Sequence, residues 1–206
     1  MSLFRDLLPS DVLVAEVDPW VVDVNELHPA ESACVANAVR KRRREFAAGR
    51  LLARDLLGRR AIPLLNDRDN VPLWPADVCG SITHCERLAA VAIADAKDVA
   101  GLGIDVEPAF PLPEDIAPLA VQCIEQEGLA LMSPLDRALA GRAIFSAKET
   151  TYKALYAQSR MHMDFSDLVV RLDLRRGTFS AVLQIDVPGF SSGAQFDGRI
   201  DIQQAF

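Results

Sequence analysis

A chain of 206 residues with 50 % apolar and 25 % charged side chains can bury a core, as one unit or as two small lobes. Its net charge of −7 argues against general nucleic-acid binding, and no apolar run approaches the roughly 20 residues of a membrane span. The scattered Cys34, Cys79, Cys85 and Cys123 form no C-x-x-C pair and only three histidines exist, which excludes a zinc site or a disulfide scaffold.

The first residues, MSLFRDLLPSD, lack the pattern of a secretory leader, so the expectation is a cytoplasmic protein with reduced thiols. Val12 to Val17 reads as an opening strand. A long helix is expected over Glu31 to Leu57, with Val35, Val39, Phe46, Ala53 and Leu57 at helical spacing and Gly58 and Pro63 as its stop. Three β-type runs follow at Gly80–His84, Leu88–Ala94 and Val99–Val106. Pro108 to Pro118 reads as a linker. A second helix over Pro134 to Gln158 precedes strands at Leu168–Leu174, Phe179–Val187 and Gly198–Ile202.

Helix then three strands, twice over, predicts an α+β protein of two similar lobes, residues 1–108 and 109–206. Each lobe is expected to pack a long helix on a small, mostly antiparallel sheet, with the active site at their junction.

Charge is unevenly spread. From Arg40 to Arg60 nine basic residues face two acidic ones, a local charge of +7, so the rest of the chain carries −14. Such a segment on an acidic protein suits a compact polyanion, although a solvated helix face is the commoner outcome for a charge run. Within it Arg42 and Arg50 lie eight residues apart, about 12 Å along one side of a helix, with Phe46 between them. Forked guanidinium donors so placed can grip a phosphate.

Three further groups carry chemistry. In Gly101-Leu-Gly-Ile-Asp105-Val-Glu107-Pro, alternation along a strand puts Asp105 and Glu107 on one face. Two such carboxylates are either a solvated acidic pair or hard oxygen ligands of the kind Mg²⁺ takes together with phosphate. In Phe145-Ser-Ala-Lys148-Glu149-Thr-Thr-Tyr152-Lys153, Glu149 and Lys153 share a helix face. They form either a surface ion pair or a third carboxylate with cations facing phosphate. In Gly80-Ser-Ile-Thr83-His84-Cys85, the Thr83 hydroxyl and the His84 imidazole are either satisfied core groups or donors to phosphate.

Taken in this order, the four stretches resemble the 4'-phosphopantetheinyl transferase superfamily, in particular its enterobactin- and surfactin-type branch. The match runs from Arg42 to Tyr156, with G-I-D-V-E and F-S-A-K-E-x-x-Y-K-A-L as its most specific parts. The resemblance implies Mg²⁺ (Mn²⁺ as the alternative) on Asp105, Glu107 and Glu149, with coenzyme A as co-substrate. It further implies Lys153 and Lys148 on the pyrophosphate, Thr83 and His84 as phosphate contacts, and Arg42 and Arg50 on the adenosine 3'-phosphate. Glu149, Lys153 and Asp105 would carry the catalysis. The implied partner is an apo acyl or peptidyl carrier protein of siderophore, other peptide or polyketide synthesis, met by a monomer.

Relatives often carry a lysine where this chain has Asn66-Asp67-Arg68-Asp69, which leaves Arg68 as the substitute for that 3'-phosphate contact. Two other functions compete: a non-catalytic coenzyme A or carrier-binding protein, and a Mg²⁺-dependent coenzyme A pyrophosphatase. The intact acid set with Lys153 argues against the first, and the lack of a dense E-x-x-E-E helix against the second.

Overall fold

The computed structural model describes residues 2–59 and 61–203; Arg60, counted in the basic run, lies outside them. The chain divides into two units, residues 1–106 and 107–206, two residues before the expected boundary. The class is α+β, with two small antiparallel sheets of three strands each.

In the first unit β1 (Leu13–Val17), β2 (Val78–His84) and β3 (Ala89–Asp95) pair in the order β1-β3-β2. The central strand β3 is buried along all but its last residue, because both faces of the sheet are covered. Val91 and Ile93 pack with Ala53 and Leu64 on one face. Ala90, Ala92 and Ala94 pack with Phe4, Val12, Leu102 and Ile104 on the other.

The helix expected over 31–57 is instead two: α1 (Pro29–Cys34) and α2 (Arg40–Leu56). Tertiary packing makes the break. Val35 and Leu27 fold back onto Phe46, and the wholly buried Glu31 meets Arg54 at 3.4 Å. In one straight helix those two residues would stand about 35 Å apart. Glu31 also accepts the Leu64 amide at 2.8 Å and caps its own helix through the His28 amide at 3.0 Å. Gly49 lets α2 approach β2, since a Cβ there would come within 2.9 Å of Ile82 Cγ2.

Val99–Val106 is not a strand. Its alternation survives, with Leu102 and Ile104 buried, but side chains replace the ladder. Ser81 Oγ accepts the Ile104 amide and Thr83 Oγ1 accepts the Val106 amide, each at 3.1 Å. Hydroxyls projecting from β2 occupy the place a paired backbone would take.

In the second unit short helices α3 (Ala117–Ala120) and α4 (Cys123–Gly128) precede α5 (Pro134–Ser159) and the meander β4 (Leu168–Asp173), β5 (Thr178–Leu183), β6 (Gln195–Arg199). α3 thus begins inside the expected linker. Ser133 caps α5 by accepting the Asp136 amide, with Pro134 in its first turn; Arg160 closes it in the left-handed region at φ 51°. Ile144, Ala147 and Leu155 pack on Leu168, Val170, Ala181 and Leu183. β5 is shorter than expected and β6 starts three residues earlier. The turns at Gly189 and Gly193 (φ 90° and 87°) end β5 and set Val182 against Gln195. The two units therefore share strand number but not order: one sheet has a strand before its helices, the other none. No helix among the described residues is long and apolar enough to cross a membrane.

Candidate active site

In the first unit α2 and β2 bring Arg42, Thr83 and His84 together. Arg42 Nη1 lies 2.8 Å from His84 Nε2, and Glu45 Oε2 lies 3.5 Å from His84 Nδ1. Arginine only donates, so Nε2 accepts and the ring proton sits on Nδ1, toward Glu45. Thr83 Oγ1, accepting from Val106, donates to Asp105 Oδ1 at 3.1 Å. One buried hydroxyl thus fixes both the backbone and the carboxylate of the G-I-D-V-E stretch.

Arg50, only 4 % exposed, stacks on the Phe46 ring at 4.3 Å and donates from Nη2 to Asn66 Oδ1. Burial lowers its guanidinium pKa to about 10; Glu31 opposes the shift and Arg42 adds to it. No carboxylate among the described residues forms an ion pair with it, and its buried Nε has no hydrogen-bond partner. Arg54, one turn on and equally buried, does have its acid, Glu31. Arg68 stands apart from this group, with a side chain 93 % exposed beside Asp69.

In the second unit Arg142, which the sequence reading passed over, grips Glu107. Its Nη1 donates to Glu107 Oε2 at 2.7 Å, its Nε to Phe110 O at 2.9 Å and its Nη2 to Pro111 O at 2.8 Å. The available signal was helical phase: Arg142 lies two turns before Glu149, on the face shared with Lys153.

Lys148, expected on the pyrophosphate, is engaged by partners within its own unit. It is 1 % exposed, and its ammonium donates to Glu125 Oε2 (2.9 Å), Ala120 O (3.0 Å) and Phe165 O (2.9 Å), which uses all three protons. Burial pushes its pKa below the usual range more than Glu125 raises it. Glu125, unremarked in the sequence, also accepts the Val170 and Gln122 amides at 2.7 Å each. The Q-x-x-E capping pattern at the start of α4 was the signal for it.

Lys148, Glu149 and Tyr152 line a cavity of about 260 Å³ with Met163, Asp164, Phe165 and Leu168. Tyr152 Oη lies 3.1 Å from His162 Nδ1, and Lys153 is half-buried one turn beyond Glu149. The three expected metal ligands are divided between the units, Asp105 in the first and Glu107 and Glu149 in the second. Within either unit no three His, Cys, Asp or Glu side chains among the described residues form a ready ligand set.

The family model of the 4'-phosphopantetheinyl transferase N-terminal domain matches residues 30–94, and that of the 4'-phosphopantetheinyl transferase superfamily matches residues 101–194. The chain is 41 % identical over 179 residues to the 4'-phosphopantetheinyl transferase Svp of Streptomyces mobaraensis, spanning 85 % of this chain and 72 % of that one. It is 32 % identical over 220 positions to the 4'-phosphopantetheinyl transferase Npt of Nocardia iowensis, across 99 % of this chain and 96 % of that one. It is 37 % identical over 123 residues to enterobactin synthase component D of Salmonella typhi, across 57 % and 50 % of the two chains. Two consecutive family matches and an alignment that runs almost end to end place this chain in the 4'-phosphopantetheinyl transferase superfamily, as one of its enzymes.

Proposed function

We propose that this enzyme moves the 4'-phosphopantetheine arm of coenzyme A onto a serine of an apo acyl or peptidyl carrier protein, with Mg²⁺, and releases adenosine 3',5'-bisphosphate. The carrier serves siderophore, other nonribosomal peptide or polyketide synthesis. The observation that carries the substrate end of this reading is Arg50: a buried guanidinium without a carboxylate, near a second arginine, favours a dianionic phosphate over any neutral ligand.

Arg42 and Arg50 bind the adenosine 3'-phosphate and His84 donates to the phosphates; Thr83, expected as a second donor there, gives its single proton to Asp105 and supports that carboxylate instead. For His84 to donate from Nε2 while its Nδ1 proton stays toward Glu45, the ring takes up one proton from solvent as imidazolium and Arg42 turns from the ring to the anion. Lys153 steadies the charge that builds on the leaving phosphate. The serine oxygen attacks the β-phosphorus and the bond to the bridging oxygen breaks. Glu149, directly or through a water, accepts the serine proton. Lys148 contributes by holding α5 in place through Glu125, not by touching phosphate.

The donor chemistry fits a hard cation: Asp105 and Glu107 are carboxylates, each already oriented by a neighbour, Thr83 and Arg142. Asp105, Glu107 and Glu149 would hold Mg²⁺, which supplies charge neutralisation at the pyrophosphate. The exposed Phe110, Leu119, Ile124 and Leu131 provide apolar contacts for the carrier.

The test combines purified enzyme, apo carrier, coenzyme A and Mg²⁺ and weighs the carrier by mass spectrometry. A gain of one phosphopantetheine that is lost in a folded Asp105→Ala variant supports the proposal. No gain across peptide, polyketide and fatty-acid carriers overturns it. Nucleotide release without any carrier points to the pyrophosphatase.

A further inference from the structure

We infer that Asn66 is a positioning residue that holds Arg50 for the phosphate monoester of coenzyme A and thereby sets the preference for coenzyme A over dephospho-coenzyme A. The inference rests on the reading above, in which Arg50 meets the 3'-phosphate.

A long buried arginine has many rotamers, and its grip on a ligand depends on which one is held. Two contacts fix this one. The Phe46 ring lies under the guanidinium plane, and Asn66 Oδ1 takes the Nη2 proton. A neutral amide oxygen is a fitting clamp because it orients the cation without neutralising it. A carboxylate at the same place would pair with Arg50 and compete with the ligand; a lysine would repel it. The buried Nε, left without a partner, is a donor that the protein itself does not satisfy.

The clamp is itself rigid. Asn66 bridges Pro72 across a short turn. Leu73 donates to Leu65 O at 2.8 Å, Asp67 donates to Val71 O at 2.9 Å, and Asp67 Oδ1 accepts the Asp69 and Val71 amides at 2.9 Å each. None of these bonds uses the Asn66 side chain, so its replacement leaves the turn in place. Arg68, two residues on, is solvent-exposed; this segment acts on the phosphate through Asn66 and Arg50.

Calorimetric titration of coenzyme A and of dephospho-coenzyme A, which lacks only the 3'-phosphate, tests this on wild type, Asn66→Ala and Asn66→Asp. Wild type should bind coenzyme A at least about tenfold more tightly than the dephospho form. Asn66→Ala should weaken coenzyme A about tenfold and leave the dephospho form within about twofold. Asn66→Asp should weaken coenzyme A further while melting no lower than wild type, an outcome a purely structural role does not give. Equal losses for both nucleotides, or no loss in either variant, overturn the inference. If wild type binds and uses coenzyme A but the variants behave as it does, only this inference falls. If wild type binds no coenzyme A, the functional reading falls with it.

Discussion

Arg142 spans three acceptors at once, the Glu107 carboxylate and the carbonyls of Phe110 and Pro111, and so ties the start of the second unit to the middle of α5. Arg142→Ala should destabilise the protein by about 2 kcal/mol and reduce transfer more than tenfold, because a half-buried carboxylate loses its charged partner. Arg142→Lys should recover little, since an ammonium cannot present a fixed fork to three separated oxygens. Denaturant melts and the Mg²⁺ concentration at half-maximal rate check both; the metal requirement should rise in the variants.

Thr83 is a hub of the same kind in the first unit. Thr83→Val preserves shape but removes the acceptor of the Val106 amide and one donor to Asp105. The expected cost is about 1–3 kcal/mol together with a roughly tenfold slower transfer. Thr83→Ser should restore both. A stable, fully active valine variant would show that Asp105 needs no such support.

The Lys148–Glu125 pair is buried enough for desolvation to outweigh attraction at the lysine. Its folded pKa lies below 10.5, so the unfolded state holds the proton more firmly. This group's contribution to stability therefore increases as pH climbs from the folded value toward 10.5 and is flat at lower pH. Urea melts between pH 8 and 10.5 should show that increment in wild type and its absence in Lys148→Met. Glu125→Ala, which strands the ammonium, should cost about 3–5 kcal/mol at pH 7. The double variant should be less impaired than the sum of the two changes.

Leu131 is fully exposed, and Ile124, seven residues earlier in the chain, is exposed as well. Leu131→Glu should leave the melting temperature and the coenzyme A KM unchanged and raise the carrier KM about tenfold, since a carboxylate replaces an apolar contact and must be desolvated on docking. Steady-state kinetics with each substrate varied in turn separates the two. An unchanged carrier KM would remove this residue from the docking surface.

Some of this was legible along the chain because it depends on local rules. The start of α5 follows from Pro134, and the first strand of the second unit's meander from the alternation of Leu168, Val170 and Leu172. The alternation of Leu102 and Ile104 around Asp105 is also written in the sequence. The charge on α2 could be counted in advance. Its assignment could not: Arg54 is neutralised by Glu31, Arg50 is not, and Arg42 spends a donor on His84.

The rest was decided by partners distant in sequence. Whether a β-type run becomes a strand depends on who supplies its hydrogen bonds. For Ile104 and Val106 the suppliers are hydroxyls more than twenty residues away. Lys148 sits in the most specific motif of the chain, yet its role turns on Glu125 and on two carbonyls brought in by folding. Sequence determined which ionisable groups exist and which helix face they share. Tertiary structure determined which of those charges are already compensated, because burial and pairing are set by contacts that no local spacing encodes.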